Sequence, residues 1–430
     1  MPSARPLRSL AAAVLIVVVV ASSAAAAPGD LDPAFSGDGF TVTTFRDSYG
    51  VATSVAIQSD GRTVVAGGMH RNLSIQADFA LARYARDGRL DRTFSGNGRA
   101  RTDFGGRFDE ALGVAIQTDG RIVVVGRATD DIAVARYEAD GDLDASFSRN
   151  GKRVIDLGGV DAAFDVLVQA DGKIVMAGTD GRDFAVLRLR ESGSMDAGFG
   201  VAGVTRTDFG GFQDAARAVA INAAGEIVAG GSALMDEKRR SDFALARYDS
   251  DGALDADFGD AGLATTDFAS FDDGITDVAL ASKGAIVASG HAEEFPGDAD
   301  QASDVALARY ESDGSLDAGF GDAGTVRTDF GSYFDEAEGM VLQADGRIVV
   351  AGHFLDGSSN TAALARYDSD GDLDPSFGVG GIAVSDAEVS GDRVGGVALR
   401  ADGRIVVATA ASTGDPDASF GFLVLQFLAA

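Results

Sequence analysis

Aspartates in a recurring position are the first residues here whose type and spacing point to chemistry. Asp109, Asp161, Asp214, Asp273, Asp335 and Asp392 each open the same kind of apolar run, and Gly50 stands at the seventh place. A ring of such carboxylates around one channel mouth would focus negative potential and could hold a hard cation such as calcium. The plainer role for each is to accept backbone N–H groups from its own loop. Asp165 and Asp277 lie four residues further on, in phase with Ser54, Gly113, Ala218, Gly339 and Gly396. Acid-rich turns such as Asp249-Ser-Asp251-Gly252 and Asp368-Ser-Asp370-Gly371 invite a calcium reading too. Their Gly comes too early for an EF-hand loop and no Glu ends it, so an Asx-type turn is the simpler expectation. His291 and His353 occupy equivalent places in neighbouring repeats, where a pair could bind a ligand or exchange a proton. Lys238, Arg239 and Arg240 form a compact basic cluster suited to a partner contact.

Composition removes several alternatives. With no Cys, disulfides, thiolate metal sites and Cys nucleophiles are excluded. A formal charge of −30 argues against nucleic acid and anionic membrane surfaces as partners. Neither a zinc motif nor a nucleophile–base constellation emerges, so no residue is assigned a catalytic role.

The elements that must position these residues come from internal repetition. Leu-Asp-x-x-Phe recurs at Leu31, Leu90, Leu143, Leu254, Leu316 and Leu373, with Met195 heading a seventh copy, and the copies are 52 to 62 residues apart. Within a copy, runs such as Val55-Ala-Ile57-Gln58 alternate large and small residues with period two, then Asp-Gly follows, then a second apolar run. Two such runs around Asp-Gly read as a hairpin with a type I′ turn. Each copy yields four strands, called a (around 55–58), b (62–66), c (79–84) and d (99–104) in the first. Four antiparallel strands in seven copies predict an all-β, seven-bladed β-propeller with strand a innermost. After Phe427 the chain stops without a Leu-Asp-x-x-Phe or strand d, and both occur near the N-terminus instead. Strand 40–45 is therefore expected to complete the last blade with residues 395–428, closing the ring and covering two edges.

Residues 1–27 read as a secretory signal peptide. Arg5 and Arg8 precede a twelve-residue apolar run from Leu10 to Ala21, and small residues follow. A bilayer-spanning helix needs about twenty. No later segment is long and apolar enough to span a membrane, and without Cys there is no lipid anchor. The expectation is a secreted or extracytoplasmic monomer, with residues 28–430 forming a single propeller.

The landmarks Leu316-Asp317…Phe320-Gly321, Thr328-Asp329-Phe330-Gly331, Gln343-Ala-Asp345-Gly-Arg-Ile-Val-Val-Ala-Gly352 and Ala363-Leu-Ala-Arg-Tyr367 resemble the bacterial delta-60 repeat. The resemblance extends over essentially everything after Pro28. It implies an exported bacterial propeller and brings no general activity, cofactor or catalytic residue. The functional expectation is an exported, non-catalytic scaffold that binds a protein, glycan or cell-wall component. The alternative is a metal-dependent secreted hydrolase or lactonase-type propeller with a cation at the channel mouth. No cofactor is expected beyond that possible calcium.

Overall fold

The computed structural model describes residues 26–429 apart from 46–47, 72–75, 211–212, 236–239, 269–271, 294–302, 331–334, 357–358, 386, 388–393 and 416–417. The expected signal peptide falls almost wholly outside the described residues, as do Lys238, Arg239 and Asp392. Among the described residues no helix is long and apolar enough to cross a membrane.

The period-two alternation folds as expected into antiparallel strands. In the first repeat these are Ser48–Ile57 (a), Thr63–Arg71 (b), Ala77–Tyr84 (c) and Arg99–Thr102 (d), hydrogen-bonded in that order. The a–b turn differs from the expected type I′. Only Gly61 has positive φ (82°), and Gln58 N–H donates to Arg62 O while Gly61 N–H donates to Gln58 O. This is a type I turn followed by one left-handed residue, which needs a single glycine rather than two permissive positions.

The seven-blade count is corrected by the sheet topology. Five blades stand as separate four-stranded sheets, and the remaining strands belong to one eight-stranded sheet that combines the fourth and fifth repeats. The joint is a single parallel bridge between Ser241 and Asp272. It forms because the Ser241 hydroxyl donates to the Asp272 carboxylate and lies 3.1 Å from Asp273 O, drawing two neighbouring strands into register. Strand 40–45 is shorter than expected. Phe40–Thr43 lies antiparallel to Ala418–Phe427, with Phe40 opposite Leu425 and Thr43 opposite Phe422, and Phe45 is outside the ladder. Phe45 instead packs edge-on against Phe422 at 4.8 Å between ring centres.

The apolar core lies between sheets. One cluster combines Val64, Phe79 and Leu81 of the first sheet with Val114, Ile122 and Val124 of the second. The Phe of each Leu-Asp-x-x-Phe plugs such a junction, and Phe94, Phe147, Phe199, Phe258, Phe320 and Phe377 are all fully buried. Over each ring lies the guanidinium of strand c, for example Arg136 at 4.9 Å from Phe147. Arg136 Nε donates to Asp144 at 2.7 Å, and its Nη1 donates to Glu191 O of the next sheet at 2.6 Å. One side chain therefore ties its own Leu-Asp turn to the neighbouring sheet, and Arg366 repeats the arrangement through Asp374 and Ala429 O. In the last sheet Gln426 replaces the Arg. Asp32 there accepts from Gln426 at 2.8 Å and from Arg404 at 2.5 Å.

Candidate functional site

Each innermost strand carries a β-bulge at the same point. The register slips between Ala52 and Ser54, Ala111 and Gly113, Ala163 and Asp165, Ala216 and Ala218, Ile275 and Asp277, Ala337 and Gly339, and Val394 and Gly396. A bulge leaves one residue outside the ladder and re-aims its side chain. In six of the seven a glycine stands opposite, where the backbone approach leaves no room for a Cβ, and in the seventh Thr409 takes that place. A Cβ on Gly126 would lie 2.0 Å from Glu110 O, and one on Gly231 would lie 1.8 Å from Ala215 O. The skipped residues are Thr53, Leu112, Phe164, Arg217, Thr276, Glu338 and Gly395. All seven line one cavity of about 810 Å³ where the first strands of all the repeats converge.

That cavity is asymmetric. On one side the Arg217 guanidinium lies 4.1 Å from the centre of the Phe164 ring, and Arg127 pairs with Glu110 at 2.9 Å. On the other stand Asp272, Glu293, Glu336 and Glu338. Burial pushes the Glu293 carboxyl above its ordinary range, and the charges of Asp272 and Glu336 push it further. His291 lines the same wall, with its Nδ1 buried and without a hydrogen-bond partner. Thr53 and Thr276 are committed structurally, donating to Ala111 O at 2.7 Å and Ala337 O at 2.6 Å in the next strand a.

Just inside the bulges, Asp165 and Asp277 bridge neighbouring repeats. Asp165 accepts from Val166 N at 2.7 Å and Val219 N at 2.9 Å; Asp277 accepts from Val278 N and Met340 N, both at 2.8 Å. Ser54 does the same with its hydroxyl, accepting from Val114 N at 3.2 Å. Burial raises the Asp165 carboxyl to about 6 against the opposing pull of its backbone donors. Burial together with the charge of Asp165 raises Asp277 to about 7.

The five described aspartates of the column do not line that cavity. Asp109, Asp161, Asp273 and Asp335 are wholly buried and Asp214 is nearly so. Each holds its own loop, accepting from Phe104 N at 2.7 Å, Leu157 N, Phe209 N at 2.9 Å, Phe268 N at 2.8 Å and Phe330 N at 2.7 Å, in repeat order from the second on. These aspartates meet two others at the junction between repeats. The groups are Asp78–Asp103–Asp109, Asp131–Asp156–Asp161, Asp183–Asp208–Asp214, Asp242–Asp267–Asp273 and Asp304–Asp329–Asp335, each with carboxylate oxygens within 4.8 Å of one another. Two members of each group, the Asp of the Thr-Asp-Phe-Gly landmark and that of the Asp109 column, were visible in sequence; the third, as far before the landmark as Asp78 is before Asp103, was not.

Of the remaining expected residues, His353 is opposite Glu336 as His291 is opposite Gly274, so their backbones are equivalent, and the His353 side chain is not described. Arg240 is exposed at the end of a b–c connection, its carbonyl accepting from Met235 N at 2.7 Å. The acid-rich turns are Asx turns: Asp249 Oδ1 accepts from Asp251 N at 2.9 Å and Ala253 N at 3.0 Å. The bulge column was missed altogether. Its signal is that the seven aligned positions, three residues after the column of Asp109, hold six different residue types, with only Thr53 and Thr276 alike.

Six segments, 58–94, 117–147, 169–199, 225–258, 286–320 and 343–377, match a β-propeller domain of unknown function, DUF5122, which supports a β-propeller repeat family. Among curated proteins no relative matches the chain. Among solved structures, virginiamycin B lyase from Staphylococcus aureus is 9% identical, with 90% of this chain and 99% of that chain covered and a TM-score of 0.52. The polysaccharide lyase Uly1 is 12% identical over 88% of this chain and 90% of that chain, with a TM-score of 0.52. A PL25 ulvan lyase is 11% identical over 90% and 96%, with a TM-score of 0.51. At such identities the likeness is one of fold.

Proposed function

We propose that this protein is an exported binding propeller of the delta-60 type, and that its ligand is a small polar molecule or short glycan segment carrying a positively charged amine. The observation that supports this most directly is the ring of bulge residues. Where the repeats agree, as in the Arg–Asp–Phe junctions, their side chains hold the sheets together. Where they differ most, they converge on one cavity of about 810 Å³, within the range of small-ligand sites. Asp272, Glu293, Glu336 and Glu338 give one wall an excess of negative charge, which favours a cation there. Arg217 over Phe164 offers the opposite end of the ligand a flat, positively charged surface. Export rests on the charged, apolar and small-residue sequence of residues 1–27. The hydrolase alternative calls for a catalytic cation at the channel mouth, and the five described aspartates it relies on lie at junctions between repeats, which favours the binding reading.

The test is calorimetric titration with a glucosamine trisaccharide and its fully N-acetylated counterpart. The amine-bearing sugar should bind at least tenfold more tightly, and Glu293→Gln with Glu336→Gln should abolish that preference. Equal binding of both sugars, no binding of either, or an unchanged preference in the double variant would each sink the proposal.

A further inference from the structure

The five aspartate clusters differ in how their charge is offset. At the first, Arg101 Nε donates to Asp78 at 2.7 Å. At the last, Arg327 Nη2 lies 2.7 Å from Asp304. Both arginines sit at the same place in strand d, Arg101 opposite Ala80 and Arg327 opposite Ala306. At the cluster of Asp131, Asp156 and Asp161 that place, opposite Ala133, is held by Val154, which is 45% exposed. Among the described residues none of these three aspartates forms an ion pair. Their charged neighbours are further acids: Asp131 feels Asp156 and Asp130, and Asp161 feels Asp156 and Asp180.

A second observation points to a ligand. Asp161 is wholly buried, its Oδ2 is taken by Leu157 N–H, and its Oδ1 has no hydrogen-bond partner. The nearby Gly159 amide favours the ionised form without meeting hydrogen-bond geometry. A buried carboxylate oxygen without a donor is costly, and here it is the atom Asp161 has left to offer the cluster. Asp156 is exposed and keeps the cluster open to water.

We infer that Asp131, Asp156 and Asp161 bind a divalent cation at the junction of the second and third repeats, replacing the guanidinium that the first and fifth repeats supply covalently. The donors are all oxygen, which suits Ca²⁺ over zinc or copper. Oxygens within 4.8 Å of one another can all reach an ion at the ~2.3–2.6 Å typical of calcium, and water completes the shell on the Asp156 side. The cation would neutralise carboxylates that otherwise repel across two sheets.

The experiment is equilibrium dialysis of chelator-treated protein against calcium chloride, with circular dichroism confirming the fold of each variant. Asp156→Asn alters an exposed side chain, and Val154→Arg reproduces the residue found in the first and fifth repeats. Each should remove one equivalent of bound calcium or weaken it at least tenfold. Asp103→Asn, in the cluster that already holds Arg101, should leave the stoichiometry unchanged. No binding at millimolar calcium, full binding in Asp156→Asn or Val154→Arg, or an equal loss in Asp103→Asn would overturn the assignment.

Discussion

Replacing Asp277 by serine should remove much of the protein's loss of stability between pH 5 and pH 8. Burial and the charge of Asp165 hold the Asp277 carboxyl at about 7 in the folded state, whereas an unfolded aspartate titrates near about 3.9. Between those values the folded chain keeps a proton that the unfolded chain releases. Stability is therefore greatest below about pH 4 and falls as pH rises through the folded value. Integrated from pH 5 to pH 8, that difference amounts to roughly 2–3 kcal/mol for this one group. Asp165, at about 6, contributes in the same direction by about 1 kcal/mol over the same interval. Serine is the informative substitute because the first repeat already uses it: Ser54 accepts from Val114 N at 3.2 Å just as Asp277 accepts from Met340 N. The bond to the next sheet survives and the charge does not. The assay is urea unfolding of both proteins at pH 5 and pH 8, read by circular dichroism. Surface acids titrate equally in the two and cancel in the double difference. A pH dependence equal in both would refute the argument that burial holds these carboxyls protonated.

Two further outcomes follow from the junctions. Arg136→Met should destabilise the protein by about 3 kcal/mol at neutral pH, because it leaves buried Asp144 with only the more distant Arg121 guanidinium at 3.5 Å. Burial opposes the ionisation of Asp144, but the Ser146 hydroxyl and amide and the Arg136 charge outweigh it and hold the carboxyl at about 2. The stability this group contributes is present above pH 4 and lost toward pH 2, so the deficit of the variant in denaturant titrations should shrink as pH falls through that window. A deficit independent of pH would contradict it. Tyr248→Phe should cost about 1–3 kcal/mol, since its hydroxyl lies 2.7 Å from the buried hydroxyl of Thr207; an unchanged thermal midpoint would show that water replaces it.

What could be read from sequence was whatever depends on neighbours along the chain. Strands alternate with period two, glycines follow Asp at the turns, and Asp249 bonds its own turn, so all of these left a local trace. The pairing of Arg136 with Asp144 was legible because the two are eight residues apart and recur together. Contacts that depend on another sheet were not. Arg136 reaches Glu191 O, a backbone acceptor that any residue could provide, and no side-chain pattern marks it. Asp131 and Asp161 meet only because the second and third repeats pack side by side. The sheet joint at Ser241 and Asp272 depends on one hydroxyl, too little to change a repeat count read from periodicity. The bulge is the sharpest case. It is defined by which residue the partner strand skips, and the skipped positions share no chemistry that alignment of the repeats would highlight.

The bulges have an evolutionary consequence. A residue left out of the ladder contributes no backbone bond there, so its side chain is under little obligation to the sheet. Four of the seven positions, Leu112, Phe164, Arg217 and Glu338, can mutate without touching the hydroxyl links of Thr53 and Thr276, whereas a Cβ on Gly395 would lie 2.1 Å from Ala52 O. Selection for a new ligand and selection for a folded chain then act on different letters of the same strand. A gene built by duplicating one repeat can therefore diversify what it recognises one codon at a time, while the junction residues that hold neighbouring copies together stay fixed.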